Sequence, residues 1–515
     1  MAAGQTGPQD GVIAFLEGGG LGAPVERRID THAAMVFLTR DRAWKLKRAA
    51  HYSYLDFSTA EARHQALEAE LRLNRRTAPD LYLAVHVVAG DPDGGYRLDG
   101  EGAAADWLLE MRRFPDDALL DRLANRGPID DGLILPLADR IRALHAAAPA
   151  DRGVPGAEAM RAIVDGNAES MAESAAVLRP DRVEALCRLQ HEWIDRFADR
   201  LDARACAGRV RRGHGDLHLA NIALIDGAAT PFDCLEFSDA LATTDLLYDL
   251  AFLVMDLWHR GRQREANILL NRYLDLSPED EDGLCLMPLF LSIRATIRAH
   301  IAAGEAVRDP ADGASEVEAT SYLALAEHLL APCAARLVAI GGFSGTGKST
   351  LARALAYRLD PPPGARILRS DVLRKRLAGR PPETRLGPEH YTPPVTARVF
   401  ALLDRLAADA LAGGQSVVAD AVFARTGERA AIAYVAATAG ARFDGLWLHS
   451  DEAERVVRVE RRQGDASDAD GAIARAQSRL DVGALGAWQI VPSDGDMREV
   501  TARACARLSL PDDRA

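Results

Sequence analysis

No two cysteines in this 515-residue chain stand close enough to form a C-x-x-C pair; Cys187, Cys206, Cys234, Cys285, Cys333 and Cys505 are scattered along it. That spacing excludes a zinc ribbon and a disulfide framework, and buried thiols in a reducing cytoplasm are expected instead. No segment approaches the roughly 20 apolar residues that a bilayer-spanning helix needs. The opening MAAGQTGPQDG also lacks a cationic start followed by an apolar stretch. A cytoplasmic protein with no membrane partner is expected. Positive charge is short as well: 62 Lys and Arg against 75 Asp and Glu leave a formal net charge of -13. This excludes a surface wholly given to nucleic acid or anionic lipid, although a local basic groove is compatible with it. No repeat at a solenoid period is apparent.

What is present is ordinary globular material, 48% hydrophobic and 27% charged, on a chain longer than one core usually organises. Two or three domains are therefore expected. Near the N-terminus, AAMVFL and RAWKLK flank the turn-like TRDR and read as a β-hairpin. Ser58 and Glu61 then form an S-x-x-E capping box for a helix that runs toward Pro79. LYLAVHVVAG and DWLLEMRRF are further strand candidates. Helical spacing dominates from about Asp130 to Arg209 and again from Leu246 to Leu330, with the turn-rich VRDPADGASE inside the second stretch. After a boundary near Ala335, the apolar runs LVAIGGF, ARILRS, QSVVAD and FDGLWLHS alternate with helical patterns, as in a doubly wound parallel sheet.

Residues 342–349, GFSGTGKS, match G-x-x-x-x-G-K-[ST] between an apolar strand and the helical STLARALAYRL. Glycines let successive backbone N–H groups face phosphates at a helix N-terminus. Gly342, Ser344, Gly345, Thr346, Gly347, Lys348, Ser349 and Thr350 are the candidate nucleotide-binding residues. Among them Lys348 reaches the β- and γ-phosphates and takes part in catalysis, and Ser349 ligates Mg²⁺. ARILRS delivers Asp371 at its carboxyl end, with Arg374 a helical turn later, a pair suited to a phosphoryl acceptor. QSVVAD ends on Asp420, which reads either as a Walker-B-type magnesium carboxylate or as a strand-end cap. Arg455, Arg458, Arg461 and Arg462 are either a cluster that closes over phosphates or a solvated helix face. The GGFSGTGKST loop, RSDVLRKRL and the DASDAD stretch together resemble P-loop kinases of the polynucleotide-kinase, zeta-toxin and gluconate- or adenylylsulfate-kinase kind. That resemblance implies nucleotide binding and leaves the acceptor open.

In the first two-thirds, HGDLHLAN places His214, Asp216 and Asn221 at the H-x-D-x-x-x-x-N spacing of a kinase catalytic loop. Asp216 would take the acceptor hydroxyl's proton, and Asn221 and Asp233, twelve residues on in PFDCLEF, would hold Mg²⁺. Lys45 in RAWKLK is the preferred phosphate-binding lysine, with Lys47 on the same strand face. Glu70, or Glu68 as the competitor, is its helix partner. Hairpin, helix, strands, helical region and catalytic loop together resemble the aminoglycoside-phosphotransferase-like kinases over about Arg28 to Leu330. Within that family the resemblance implies that Asp249 in YDLAFL is structural. The chain departs from protein kinases in having no G-x-G-x-x-G before Lys45, DCLE in place of DFG, and no APE segment. GGGLG at Gly18 to Gly22 reads as flexible lead-in rather than a phosphate cover, for which Thr31 and His32 are alternatives. Both halves on one chain also resemble a bacterial fusion family of aminoglycoside phosphotransferase plus ATP-binding protein.

The expected fold class is an α+β protein-kinase-like two-lobed domain followed by an α/β P-loop domain with a mostly parallel doubly wound sheet. The expected bounds are a flexible lead-in over 1–27, the kinase-like domain over 28–334 and the P-loop domain over 335–515. The expected function is MgATP-dependent transfer of a γ-phosphoryl group to a small-molecule hydroxyl. Two alternatives stand beside it: a regulator whose P-loop half senses ATP and controls the kinase-like half, and a polynucleotide 5′-hydroxyl kinase whose partner is a nucleic-acid 5′ end.

Overall fold

The computed structural model describes residues 9–31, 33–52, 55–311, 313–461 and 466–511; His32 and Arg462, singled out above, lie outside the described residues. They form two compact units, one within Met1–Gly153 and Gly208–Asp249, the other within Val154–Ala207 and Leu250–Ala515. The second unit thus holds both the later helical region and the P-loop domain.

In the first unit, strands β1 (Arg27–Asp30), β2 (Ala34–Leu38), β3 (Arg42–Lys47), β4 (Tyr82–Gly90), β5 (Tyr96–Leu98) and β6 (Ala104–Arg112) form one antiparallel sheet in the order β1-β2-β3-β6-β4-β5. Side chains alternate across a strand. In β3, Trp44 and Leu46 therefore enter one apolar cluster with Met35, Phe37, Val88 and Leu108, while Lys45 and Lys47 project to the other face. That other face packs Leu109 and Tyr82 against Leu67 and Leu71 of the helix Ala60–Asn74. The cap of this helix is one residue later than the S-x-x-E reading placed it. Thr59 Oγ1 accepts the Ala62 N–H at 3.1 Å, whereas the Ser58 N–H donates to Asp56 Oδ1.

From Asp10 onward the segment expected to be a flexible lead-in is packed. The helix Asp10–Phe15 and the following turn bury Val12, Leu16 and Leu21 in the Trp44 cluster. Gln9 adds a polar stitch: its amide donates to the Lys47 carbonyl at 2.8 Å and its oxygen accepts the Ala49 N–H at 2.7 Å. Val12 and Leu16, four residues apart, share one face, and with Leu21 they pack the segment on the sheet.

In the second unit the P-loop sheet comprises β7 (Arg336–Gly341), β8 (Arg366–Arg369), β9 (Val417–Asp420), β10 (Arg442–His449) and β11 (Gln489–Pro492), ordered β8-β9-β7-β10-β11 with every pairing parallel. Alternation again explains its two covered faces. Leu337, Ala339, Val417 and Ala419 pack under Val399, Leu403 and Ile432. Val338, Ile340, Ile367 and Val418 pack under Leu351, Leu355 and Val500. The helix Met287–Arg308 corrects one expectation: the stretch Pro278–Arg308 is long and apolar enough to cross a bilayer, and 72% of its apolar window is buried inside the protein. A core helix passes such a test because burial and lipid both select apolar residues. All six cysteines are free, and Cys206 and Cys333 are exposed rather than buried.

Candidate functional site

The first unit gathers its charged residues around β3. Lys45 Nζ donates to Glu70 Oε1 and to Asp233 Oδ1, each at 2.7 Å. Glu70 is fully buried, and its other oxygen, Oε2, pairs with Lys47 at 2.6 Å. Lys47 in turn donates to Glu236 Oε1 at 2.6 Å. Glu68, the competing acid, is exposed beside His64. Burial favours neutral Lys45, but Asp233 and Glu70 outweigh it and hold the ammonium well above the ordinary lysine range. Burial likewise pushes Glu70 up, and Lys45 and Lys47 oppose it.

The catalytic-loop segment is held from several sides. Asn221 Nδ2 donates to Asp216 Oδ2 at 2.8 Å and to the Asp216 carbonyl at 2.9 Å. The His214 imidazole is buried and faces the Phe232 carbonyl at 3.0 Å; burial lowers its pKa and Asp249 opposes the shift. Gly215 has φ +84°, and a Cβ there would stand 2.8 Å from Leu235 Cβ. Asp249, in the first turn of the helix Leu246–His259, accepts the backbone N–H groups of His214 and Gly215 at 2.9 and 2.8 Å and faces His145 Nε2 at 2.9 Å. Three buried donors converge on one carboxylate. Asp249→Ala is therefore expected to destabilise the first unit by at least about 3 kcal/mol, since each donor would stay buried without its charged acceptor. Urea unfolding of the full chain measures this.

Sequence reading missed three contributors to this site. Tyr82 Oη accepts the Asp233 N–H at 3.0 Å, Asn74 Oδ1 accepts the Cys234 N–H at 2.9 Å, and His145 orients Asp249. Asn74 stands four residues after Glu70 on the same helix face, the one signal that could have found it.

In the second unit, Lys348, Ser349, Asp371, Arg374 and Asp420 line one cavity of about 330 Å³. Ser344, Gly345, Gly347 and Thr350 line it too. Gly342 and Thr346 instead shape the loop: Gly342 has φ +138°, and Thr346 Oγ1 donates to the Phe343 carbonyl at 2.9 Å. Gly345 has φ +87°, and a Cβ there would lie 2.4 Å from the Arg455 carbonyl oxygen, so only glycine fits. Ser349 Oγ donates to Asp420 Oδ2 at 2.6 Å, and Arg369 Nε lies 3.4 Å from the same oxygen. Burial raises Asp371 above the usual carboxylate range, Arg369 opposes the shift and Asp420 adds to it.

The arginines depart from expectation. Arg455 is buried and donates to the carbonyls of Ser344 and Ala474 and to Ser478 Oγ, while stacking on Phe343; it braces the loop from behind. Arg458 is tied to the Ser493 and Gly495 carbonyls and to Glu454. Arg455 is buried and Arg458 half-buried, and among the described arginines of the cluster Arg461 stands exposed at the helix end. Arg374 lines the cavity with its guanidinium held by the His390 carbonyl at 2.7 Å and stacked 4.8 Å from Tyr391. Gln477, unread in the sequence, accepts the Ser344 N–H through Oε1 at 2.6 Å. Asp468 accepts from Lys375, Tyr391 and the Leu386 N–H.

Both donor sets fit a magnesium nucleotide. The glycine cradle, Lys348 and the Ser349–Asp420 pair are the groups that phosphates and a hard cation need, and Asn221 with Asp233 offers the same oxygen chemistry beside Lys45. A family model described as AAA domain matches residues 337–481. The uncharacterized protein Rv2004c of Mycobacterium tuberculosis is 30% identical over 462 residues, covering 87% of this chain and 88% of its own. Among solved structures, a choline/ethanolamine kinase family protein from Mesorhizobium loti is similar at 14% identity and a TM-score of 0.39, covering 63% of this chain and 96% of its own. A gluconokinase from Sinorhizobium meliloti is similar at 21% identity and a TM-score of 0.25, covering 34% and 91%. The chain belongs to one family with the mycobacterial protein, and its last third carries the matched AAA domain.

Proposed function

We propose that the protein is an ATP-dependent phosphotransferase with two nucleotide sites, at least one of which transfers a γ-phosphoryl group to a hydroxyl of a small molecule. The observation that carries this reading is the junction at Lys45, whose ammonium is shared at 2.7 Å by the helix acid Glu70 and the loop acid Asp233. MgATP, when bound, supplies the phosphoryl group and the metal charge that neutralises it. The remaining work falls to side chains. Lys45 binds phosphate oxygens and Glu70 fixes its ammonium in place. Asn221 and Asp233 hold the metal, and Asp216 accepts the proton of the attacking hydroxyl.

In the P-loop site, Lys348 and backbone amides of the glycine loop would hold phosphates, while Ser349 and Asp420 would hold the metal. Asp371, whose carboxyl is raised by burial, takes a proton from an acceptor, and Arg374 neutralises charge next to it. A second, regulatory reading draws support from the bonds within the second unit between the helix Gln263–Leu276 and β8, the strand that leads to Asp371. Through them the P-loop site would govern the helical region.

The test incubates the purified chain with labelled MgATP and a panel of hydroxylated metabolites, aminoglycosides and 5′-hydroxyl oligonucleotides. Wild type is compared with Asp216→Ala and Lys348→Ala. A product lost in only one variant assigns that chemistry to one site. Labelled oligonucleotide would make the P-loop half a polynucleotide kinase. Absence of any product while ATP binding persists would refute the phosphotransferase reading in favour of regulation.

A further inference from the structure

One lysine suffices for the proposed role at β3, yet two are buried there. Lys45 and Lys47 lie on the same strand face, about 7 Å apart along the strand. Glu70 spans them with its two oxygens, Oε1 to Lys45 and Oε2 to Lys47. The loop 233–236 presents two acids at matching places: Asp233 to Lys45 at 2.7 Å and Glu236 to Lys47 at 2.6 Å. The result is a continuous chain of five charges, Asp233–Lys45–Glu70–Lys47–Glu236. Lys47 and Glu236 are its more secluded end, 3% and 8% exposed against 39% for Asp233.

The loop needs such a clamp. Asp233 sits at φ +59°, a left-handed conformation that costs a non-glycine residue energy unless its surroundings impose it. Its N–H is held by Tyr82, that of Cys234 by Asn74, and that of Leu235 by the His214 carbonyl at 2.9 Å. Those bonds fix the backbone. The Glu236 carboxylate is held on Lys47, between the Leu235 carbonyl, which accepts from Arg212 at 3.1 Å, and Phe237, which packs on Phe57 and Ala66. Lys47 also spares Lys45: with both oxygens of Glu70 engaged, Lys45 divides itself between one of them and Asp233.

We infer that Lys47 and Glu236 are positioning residues of the kinase site, holding the Asp233 carboxylate where it meets the metal without touching nucleotide or metal themselves. The inference rests on the reading of Asn221 and Asp233 as metal holders. Removing either residue breaks the charge chain beside Asp233 and unbalances Glu70 between its two lysines, so the Asp233 carboxylate shifts from its place. Changes to groups that orient a metal ligand typically cost about 10–100-fold in metal affinity.

The experiment uses the full chain carrying Lys348→Ala, so that nucleotide binding reports the kinase site. The probe is a non-hydrolysable ATP analogue, titrated at increasing Mg²⁺. Glu236→Gln and Lys47→Met are expected to raise the Mg²⁺ concentration needed for half-maximal binding by about 10–100-fold. Lys47→Arg, which keeps the charge, stays within about threefold. The double variant Lys47→Met/Glu236→Gln is no worse than the poorer single, because both cut the same link. A folded Glu236→Gln protein with the wild-type Mg²⁺ requirement would overturn the inference. So would a near-isosteric Glu236→Gln that fails to fold, since the role would then be structural. Asp233→Asn separates this from failure of the underlying reading. If it leaves Mg²⁺-dependent binding intact, the metal assignment itself falls; if it abolishes binding while Glu236→Gln does not differ from wild type, only the positioning role falls.

Discussion

Asp216→Asn should lower phosphoryl transfer from the kinase site by about 10²–10⁴-fold, the range that a positioned proton acceptor contributes. The substitution keeps the size and planarity of the side chain. An amide oxygen in place of Asp216 Oδ2 can still accept from Asn221 Nδ2, now at 2.8 Å, so the loop keeps its shape. What disappears is the capacity to take a proton. The loss therefore falls on kcat, with KM for ATP within about threefold, because an interaction made only in the transition state is removed. His218 Nε2 lies 3.4 Å from Asp216 Oδ2 and is the group that can sustain residual turnover; adding His218→Ala to Asp216→Asn should lower the remainder further. Steady-state kinetics with the acceptor found in the panel measures both numbers. An unchanged kcat in Asp216→Asn would remove Asp216 from the reaction.

Arg366→Met should be the most destabilising single change in the second unit. Arg366, 2% exposed, starts β8 and spends its guanidinium on Asp275 and Glu281 at 2.7 Å and on Asn271 Oδ1 at 2.9 Å. Asn271 Oδ1 also accepts the Ile367 N–H at 2.7 Å, and Asn267 donates to the Pro363 and Ala365 carbonyls at 3.0 Å. An edge strand's exposed backbone is thereby paired by side chains of the helix Gln263–Leu276. Methionine fills the volume but leaves the secluded Asp275 without its paired cation and Glu281 with only Arg376, at 3.4 Å. Removing one partner of such a cluster costs about 3–5 kcal/mol, a large share of a stability that is typically about 5–15 kcal/mol. Denaturant unfolding should show a lower midpoint with little change in slope. A midpoint equal to wild type would mean that the cluster gains nothing over its desolvation.

How much of this was legible depended on range. Four of the five P-loop strands announced themselves as apolar runs between helical patterns, because a strand covered on both faces has no polar side to show. The fifth, Gln489–Pro492, is a four-residue edge strand that is partly exposed, and nothing in its composition marked it. The strand Arg27–Asp30 is exposed throughout and was invisible for the same reason.

Helix phase decides between Glu70 and Glu68. The buried positions of that helix are Arg63, Ala66, Leu67, Glu70, Leu71, Leu73 and Asn74, and Glu68 falls outside them. The same logic applied to Arg455, beside the buried Val456 and Val459, would have placed it inside rather than over phosphates. The bonds of Arg366 join residues some ninety positions apart, and the Lys47–Glu236 pair joins residues 189 apart. Spacing along a sequence carries no signal of either.

The proposed function requires two nucleotide sites on one chain, one at Lys45 and one at Lys348. Its most direct test is the stoichiometry of a non-hydrolysable ATP analogue with Mg²⁺, measured by calorimetry on wild type, Lys45→Met and Lys348→Ala. The account predicts two sites per wild-type chain and one in each variant. A single site in wild type that is lost in only one of the variants would contradict it.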